Sequence, residues 1–157
     1  SIVLQPSLSG YHILDVQPDE TWILEPGVYW ASEGDVSLGM RRERFWPSLW
    51  SGDGGLVWKT TLCNAGRVAI NAPGPVETVE VTDSELRVQG RLVLGRTDGL
   101  RFYSRNSSPF PRNLISGQKR LRVYSGTGKA LVCWTPYWNE HLYRRMTGES
   151  IDGALLE

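Results

Sequence analysis

Few side chains in this 157-residue sequence carry chemistry beyond packing: two histidines, two cysteines and a handful of Ser-Gly steps and carboxylate pairs. A catalytic metal takes at least three protein ligands, and soft metals prefer His or Cys. His12 and His141 stand alone, in neither an HxH nor an HExxH arrangement, so no metal and no cofactor is expected. Ser51 and Ser116 each precede glycine, but the GxSxG nucleophile turn is absent. Cys63 has no base beside it in sequence, and with Cys133 it reads as a reduced thiol in a half-buried strand. Asp19/Glu20 and Asp83/Glu85 sit at turn signals, where solvated acids are expected. A glycosidase pair is defined by the distance between two carboxylates in space, which sequence spacing does not set. The glycines of residues 51–55 lack the Lys-Ser/Thr of a phosphate loop. These residue types predict no enzyme.

Binding chemistry is better represented. Net charge is zero, yet its distribution is uneven. Residues 1–40 contain no Lys or Arg but carry Asp15, Asp19, Glu20, Glu25, Glu33 and Asp35, whereas residues 100–139 carry seven cations and no acid. One reading is a face for an anionic ligand or single-stranded nucleic acid, built from Arg101, Arg105, Lys119, Arg120 and Arg122 with Phe102, Tyr103 and Tyr124 interleaved. The other is charge pairing between the two halves or between subunits, and strand alternation would split the cations between two faces. The seven tryptophans are many for this length. Trp22, Trp30, Trp46 and Trp50 are the candidate surface of a homo-oligomer, with core filling as the alternative.

The elements that position these residues read as short strands between turns. Residues 1–10 suit an edge strand, since Pro6 donates no backbone hydrogen bond. Strands follow at 11–16, 21–24, 28–31 and 36–40, with a type II turn at Glu25-Pro26-Gly27. Residues 51–73 read as a hairpin turning at Asn64-Ala65-Gly66. Further strands fall at 76–81, 86–88, 92–94 and 100–103, and a second hairpin turns at residues 125–128. The tail, about 137–147, has helical spacing and stops at Gly148.

The chain repeats itself. Residues 51–73 and 116–136 both open on Ser-Gly and close on proline, and Gly27, Phe45, Leu49 and Pro73 are matched by Gly90, Phe110, Leu114 and Pro136. The expected architecture is all-β: a single domain, residues 1–157, of two β repeats, about 11–73 and 76–136, forming a two-sheet sandwich with a short C-terminal helix. No apolar run approaches the ~18 residues that cross a bilayer, and no basic-then-apolar leader is present, so the expected location is the cytoplasm.

The opening Val16-Gln17-Pro18-Asp19-Glu20 and Leu24-Glu25-Pro26-Gly27-Val28-Tyr29-Trp30, the strand start Ser51-Gly52-Asp53-Gly54 with Leu56, and the linker Ala72-Pro73-Gly74-Pro75 resemble the family of the altered inheritance of mitochondria protein twenty-four. The resemblance covers roughly residues 11–138. It implies a double-stranded β-helix or two-sheet sandwich of duplicated halves, close to the tryptophan RNA-binding attenuation protein fold, and a ring-like homo-oligomer such as a trimer. It implies no activity and no catalytic residues. The combined expectation is a self-associating, non-catalytic binding or scaffold module.

Overall fold

The computed structural model describes residues 10–42, 58–89, 91–106 and 120–135. These residues form ten strands: β1 (Tyr11–Val16), β2 (Trp22–Leu24), β3 (Tyr29–Gly34), β4 (Ser37–Arg42), β5 (Trp58–Cys63), β6 (Gly66–Asn71), β7 (Val76–Gln89), β8 (Val93–Thr97), β9 (Leu100–Asn106) and β10 (Arg120–Cys133). All pairings are antiparallel. One sheet has the order β1-β6-β3; the other runs β4-β5-β2-β8-β10-β7, with β9 also paired to β10. The expected edge strand at residues 1–10 and the C-terminal helix at 137–147 lie outside the described residues, apart from Gly10.

Period-two side-chain alternation builds two cores. Leu14, Val16, Val68 and Ile70 of the smaller sheet pack on Trp22, Leu24, Leu62, Leu94, Leu131 and Cys133 of the larger one. On the opposite face of β10, Ala130, Val132 and Tyr124 join Val81, Val88, Val93, Leu100 and Phe102 in a second core. The larger sheet is strongly curled. β5 and β9 are separated by β2, β8 and β10, yet Lys59 Nζ of β5 stands 5.2 Å from the Phe102 ring centre of β9.

Three expected turns have other roles. The expected hairpin at residues 64–66 is a corner: β5 belongs to the larger sheet and β6 to the smaller, and the two do not pair. Asn64, at φ 68°, tolerates the left-handed conformation the corner needs, and Asp35 N–H donates to Ala65 O at 3.2 Å. The neighbouring path from β3 to β4 turns at the same place, so β3–β4 and β5–β6 form one antiparallel ribbon bent across both sheets. The expected second hairpin at 125–128 is the middle of the single strand β10, and the expected turn at Asp83-Ser84 lies inside β7. These two strands pair along their whole length. Gly126 pairs with Ser84 and Gly128 with Val81, leaving Thr82 and Asp83 opposite Thr127. Turn-forming residues here make a β-bulge, with Asp83 at φ 46° and its N–H bonded to Thr127 Oγ1. The turn at Gly27 is as expected: φ is 79°, and Val28 N–H donates to Glu25 O at 3.2 Å.

The pairings of the first half recur in the second, register for register. β1 with β6 sets Tyr11 opposite Asn71 and Val16 opposite Gly66; the two ends of β7 and β10 set Val76 opposite Cys133 and Val81 opposite Gly128. Trp22 pairs with Leu62 as Leu86 does with Tyr124, and Leu38 with Leu62 as Phe102 does with Tyr124. Ala31 pairs with Ala69 as Gly95 does with Leu131, and both of those ladders slip register just beyond this pair.

Candidate functional site

The aromatic candidates separate. Trp22 is 1% exposed and central to the first core, its Nε1–H donating to Glu20 Oε2 at 3.1 Å, so it cannot form part of an external surface. β2 is buried on both faces, between β5 and β8, which is why a three-residue strand hides a tryptophan completely. Trp30, on the edge strand β3, is 38% exposed. Trp46 and Trp50 lie outside the described residues. The structure adds apolar residues that aromatic counting missed. Leu38 and Met40 on β4 are 53% and 78% exposed, and Trp58 on β5 is 57% exposed. Leu38, Met40 and Arg42 pair with Leu62, Thr60 and Trp58, so by alternation all share one face at the end of the larger sheet. β4 is exposed along its whole length. Its alternating Leu38 and Met40 were the sequence signal, read there only as strand periodicity.

The basic candidates also divide. Arg101 and Arg105 of β9 are exposed and lie with Tyr103 on one face, opposite Ser125, Leu121 and Val123 of β10. Arg122 faces the other way and is buried. Arg120 opens β10 two residues earlier, and Lys119 lies outside the described residues. The expected five-residue face is therefore not one surface: adjacent strand positions point to opposite sides of the sheet.

Arg122 instead belongs to a buried ionic and aromatic cluster where the curled sheet closes on itself. Lys59 Nζ donates to Glu25 Oε1 at 2.7 Å, both groups being buried. Lys59, Arg96 and Arg122 stand 5.2, 5.8 and 5.6 Å from the Phe102 ring centre. Phe102 packs on Tyr124 with centres 5.4 Å apart, and Arg96 Nε–H donates to Leu100 O at 3.0 Å. Burial pushes the Tyr124 phenol well above its ordinary pKa; the Glu25 charge adds to this, and Arg122 and Arg96 oppose it. Among the described residues Ser104 Oγ is buried without a hydrogen-bond partner, and the buried Tyr124 hydroxyl interacts with the Arg122 guanidinium without forming a well-aligned bond. A cation held over an aromatic face in a low-dielectric site is attracted by the ring quadrupole, so this cluster can fasten β5 and β2 to β8, β9 and β10. Sequence reasoning missed Glu25, Lys59 and Arg96. The one hint was Lys59, alternating in register with Val57, Thr61 and Cys63 on a face otherwise poor in charge.

Two of the turn acids, Glu20 and Glu85, are partnered. Glu20 accepts hydrogen bonds from Lys129 Nζ and Trp22 Nε1. Burial raises its pKa, but those bonds outweigh it and hold the carboxyl below its ordinary value. Glu85 accepts from the Tyr103 hydroxyl and from Arg87, and both bonds lower its pKa, while the bond to Glu85 raises that of Tyr103. Cys63 Sγ lies 3.7 Å from Thr21 Oγ1, and Cys133 is buried. His12 is half-buried on β1, and no group of three or more His, Cys, Asp or Glu gathers among the described residues. Ser51, Ser116 and His141 lie outside them. No helix among the described residues is long and apolar enough to cross a membrane.

A family model, mitochondrial biogenesis AIM24, matches residues 1–133. The chain belongs to this family. No curated protein matches. Among solved structures, the chain is similar to the crystal structure of protein SPYM3_0169 from Streptococcus pyogenes, with a TM-score of 0.60 and 14% identity. That match covers 87% of this chain and 59% of the other, so this AIM24 chain spans about three fifths of its neighbour's length. The likeness is one of fold.

Proposed function

We propose that this AIM24-family protein is a non-catalytic scaffold that self-associates. The observation that carries the reading is the apolar surface at the sheet edges: Trp30 on the edge strand β3, and Leu38, Met40 and Trp58 on one face of the edge strand β4 and its neighbour β5. Scattered apolar side chains are ordinary on a protein surface, but large ones sharing a sheet face beside an exposed edge strand mark an association site. Two similar β-sandwich units within one chain would supply such edges in a regular arrangement. The separation of the basic residues onto two faces favours this reading over an anionic-ligand face. Sedimentation velocity on the wild type and on Leu38→Ser/Met40→Ser tests it. The wild type should sediment as an oligomer, and the variant should shift toward a folded 17.6 kDa monomer. A variant that associates as the wild type does would remove this surface from the account.

A further inference from the structure

Within the chain, the two sets of recurring pairings are joined by one ladder. β2 pairs with β8, placing Trp22 opposite Thr97, Ile23 opposite Arg96 and Leu24 opposite Gly95. By the matched registers, β2 corresponds to residues 86–88 in the second half of β7, and β8 corresponds to β3. The joined pair is buried throughout. The corresponding pair is not joined to anything among the described residues: β3 and β7 are the outer strands of their sheets, and both are largely exposed. Each chain thus carries the two complementary halves of a junction it has already made once.

We infer that the outer edge of β3 in one copy pairs with residues 86–88 of β7 in a second copy, repeating between chains the β2–β8 junction made within the chain. This inference rests on the self-association proposed above and names its geometry. Transferring the internal register sets Leu86 opposite Glu33, Arg87 opposite Ser32 and Val88 opposite Ala31 of the next copy. The exposed apolar residues then acquire covers. Trp30 corresponds to Leu94, which is fully buried against the β2 side, where its carbonyl accepts the Glu25 N–H at 2.8 Å. Leu38 corresponds to Phe102, and Lys59, which lies over Phe102, corresponds to Leu121. The cation-on-aromatic contact inside the chain becomes Leu121 of one copy against Leu38 of the next. The rest of the ionic cluster is replaced in the same sense: Glu25, Arg96 and Arg122 correspond to Gln89, Ser32 and Thr60, so that cluster does not recur between chains, while Arg87 and Glu33 take the places of Ile23 and Thr97. A surface of one kind meeting a surface of another is heterologous, and it closes into a ring when the repeated rotation returns to its start.

Cross-linking by register tests this directly. Directly opposed antiparallel residues have Cα atoms about 4.5–5.5 Å apart, within disulfide reach. Ser32→Cys and Arg87→Cys are made as separate chains, each with Cys63→Ser, mixed after partial unfolding and refolding, and oxidised. The expected product is a disulfide-linked dimer as the main band on a non-reducing gel. Arg87→Cys mixed with Asp15→Cys, on the far strand of the smaller sheet, should give little. One chain carrying both Ser32→Cys and Arg87→Cys should give a ladder ending at the ring size, read by native mass spectrometry. An oligomeric wild type with no preference for the 32–87 link overturns this geometry while leaving self-association standing. A wild type that is monomeric at every concentration overturns both.

Discussion

Replacing Lys59 by methionine removes one charge from a buried pair while keeping an apolar stem of similar length. Lys59 Nζ and Glu25 Oε1 are 2.7 Å apart, and their side chains are 2% and 10% exposed. Removing one partner of such a pair costs about 3–5 kcal/mol, because the other charge stays buried without its counter-ion. For a chain of this length each kcal/mol moves the melting temperature by about 3 °C, so Lys59→Met should lower it by ~9–15 °C. The second half of the test is Lys59→Met with Glu25→Leu. The Glu25 backbone bonds to Leu94 and Val28 are independent of its side chain, so the turn survives the change. With both charges gone the desolvation cost of this pair disappears, and the double variant should be more stable than Lys59→Met alone, short of the wild type because Arg96 and Arg122 stay buried. Urea unfolding followed by fluorescence of the buried Trp22, at one protein concentration, measures all four corners of the cycle. A single substitution costing under ~1 kcal/mol, or a double variant as unstable as the two singles added, would refute the assignment of this pair as the fastening point.

Tyr124→Phe removes a buried hydroxyl that interacts with Arg122 without a well-aligned bond, so the loss in urea unfolding should stay below ~1 kcal/mol; a larger loss would show a full hydrogen bond there. Gly126→Ala should destabilise by ~2 kcal/mol or more in the same assay, since Gly126 has φ 123° and a Cβ there would meet the Gly99 carbonyl. Glu20 has a folded pKa below 4.5, so its contribution is full above that value and is lost as pH falls through the folded pKa. Glu20→Gln should therefore flatten the acid limb of a stability-versus-pH curve. Its partner Lys129 has a raised pKa, so the same contact holds below pH 10.5 and weakens as pH climbs through the folded value; Lys129→Met should flatten the alkaline limb.

Local strand pattern was legible wherever one face is buried and the other wet. Residues 11–16 were bounded correctly because Leu14 and Val16 alternate with exposed Ile13 and Asp15. Turn residues were found, but their roles were not. Gly126 and Asp83 supply the same positive φ in a bulge that they would in a hairpin, and the choice is set by pairing partners some 40 residues away. Asn64 likewise marks a place where the chain bends without saying which strand it joins. The site was read least well. Trp22 and Trp30 are both strand tryptophans, and only the order of strands places one in a core and the other on an edge. Lys59, Arg96 and Arg122 sit in β segments indistinguishable from solvated ones until the sheet curls and sets them on Phe102.

The central claim is that the exposed apolar strands hold copies of this chain together. Sedimentation equilibrium of the wild type over a wide concentration range tests it most directly, with Trp30→Ser/Leu38→Ser measured alongside. The account predicts a discrete oligomer mass for the wild type, an exact multiple of 17.6 kDa, and a folded monomer for the variant. A wild type that stays at 17.6 kDa throughout would contradict it.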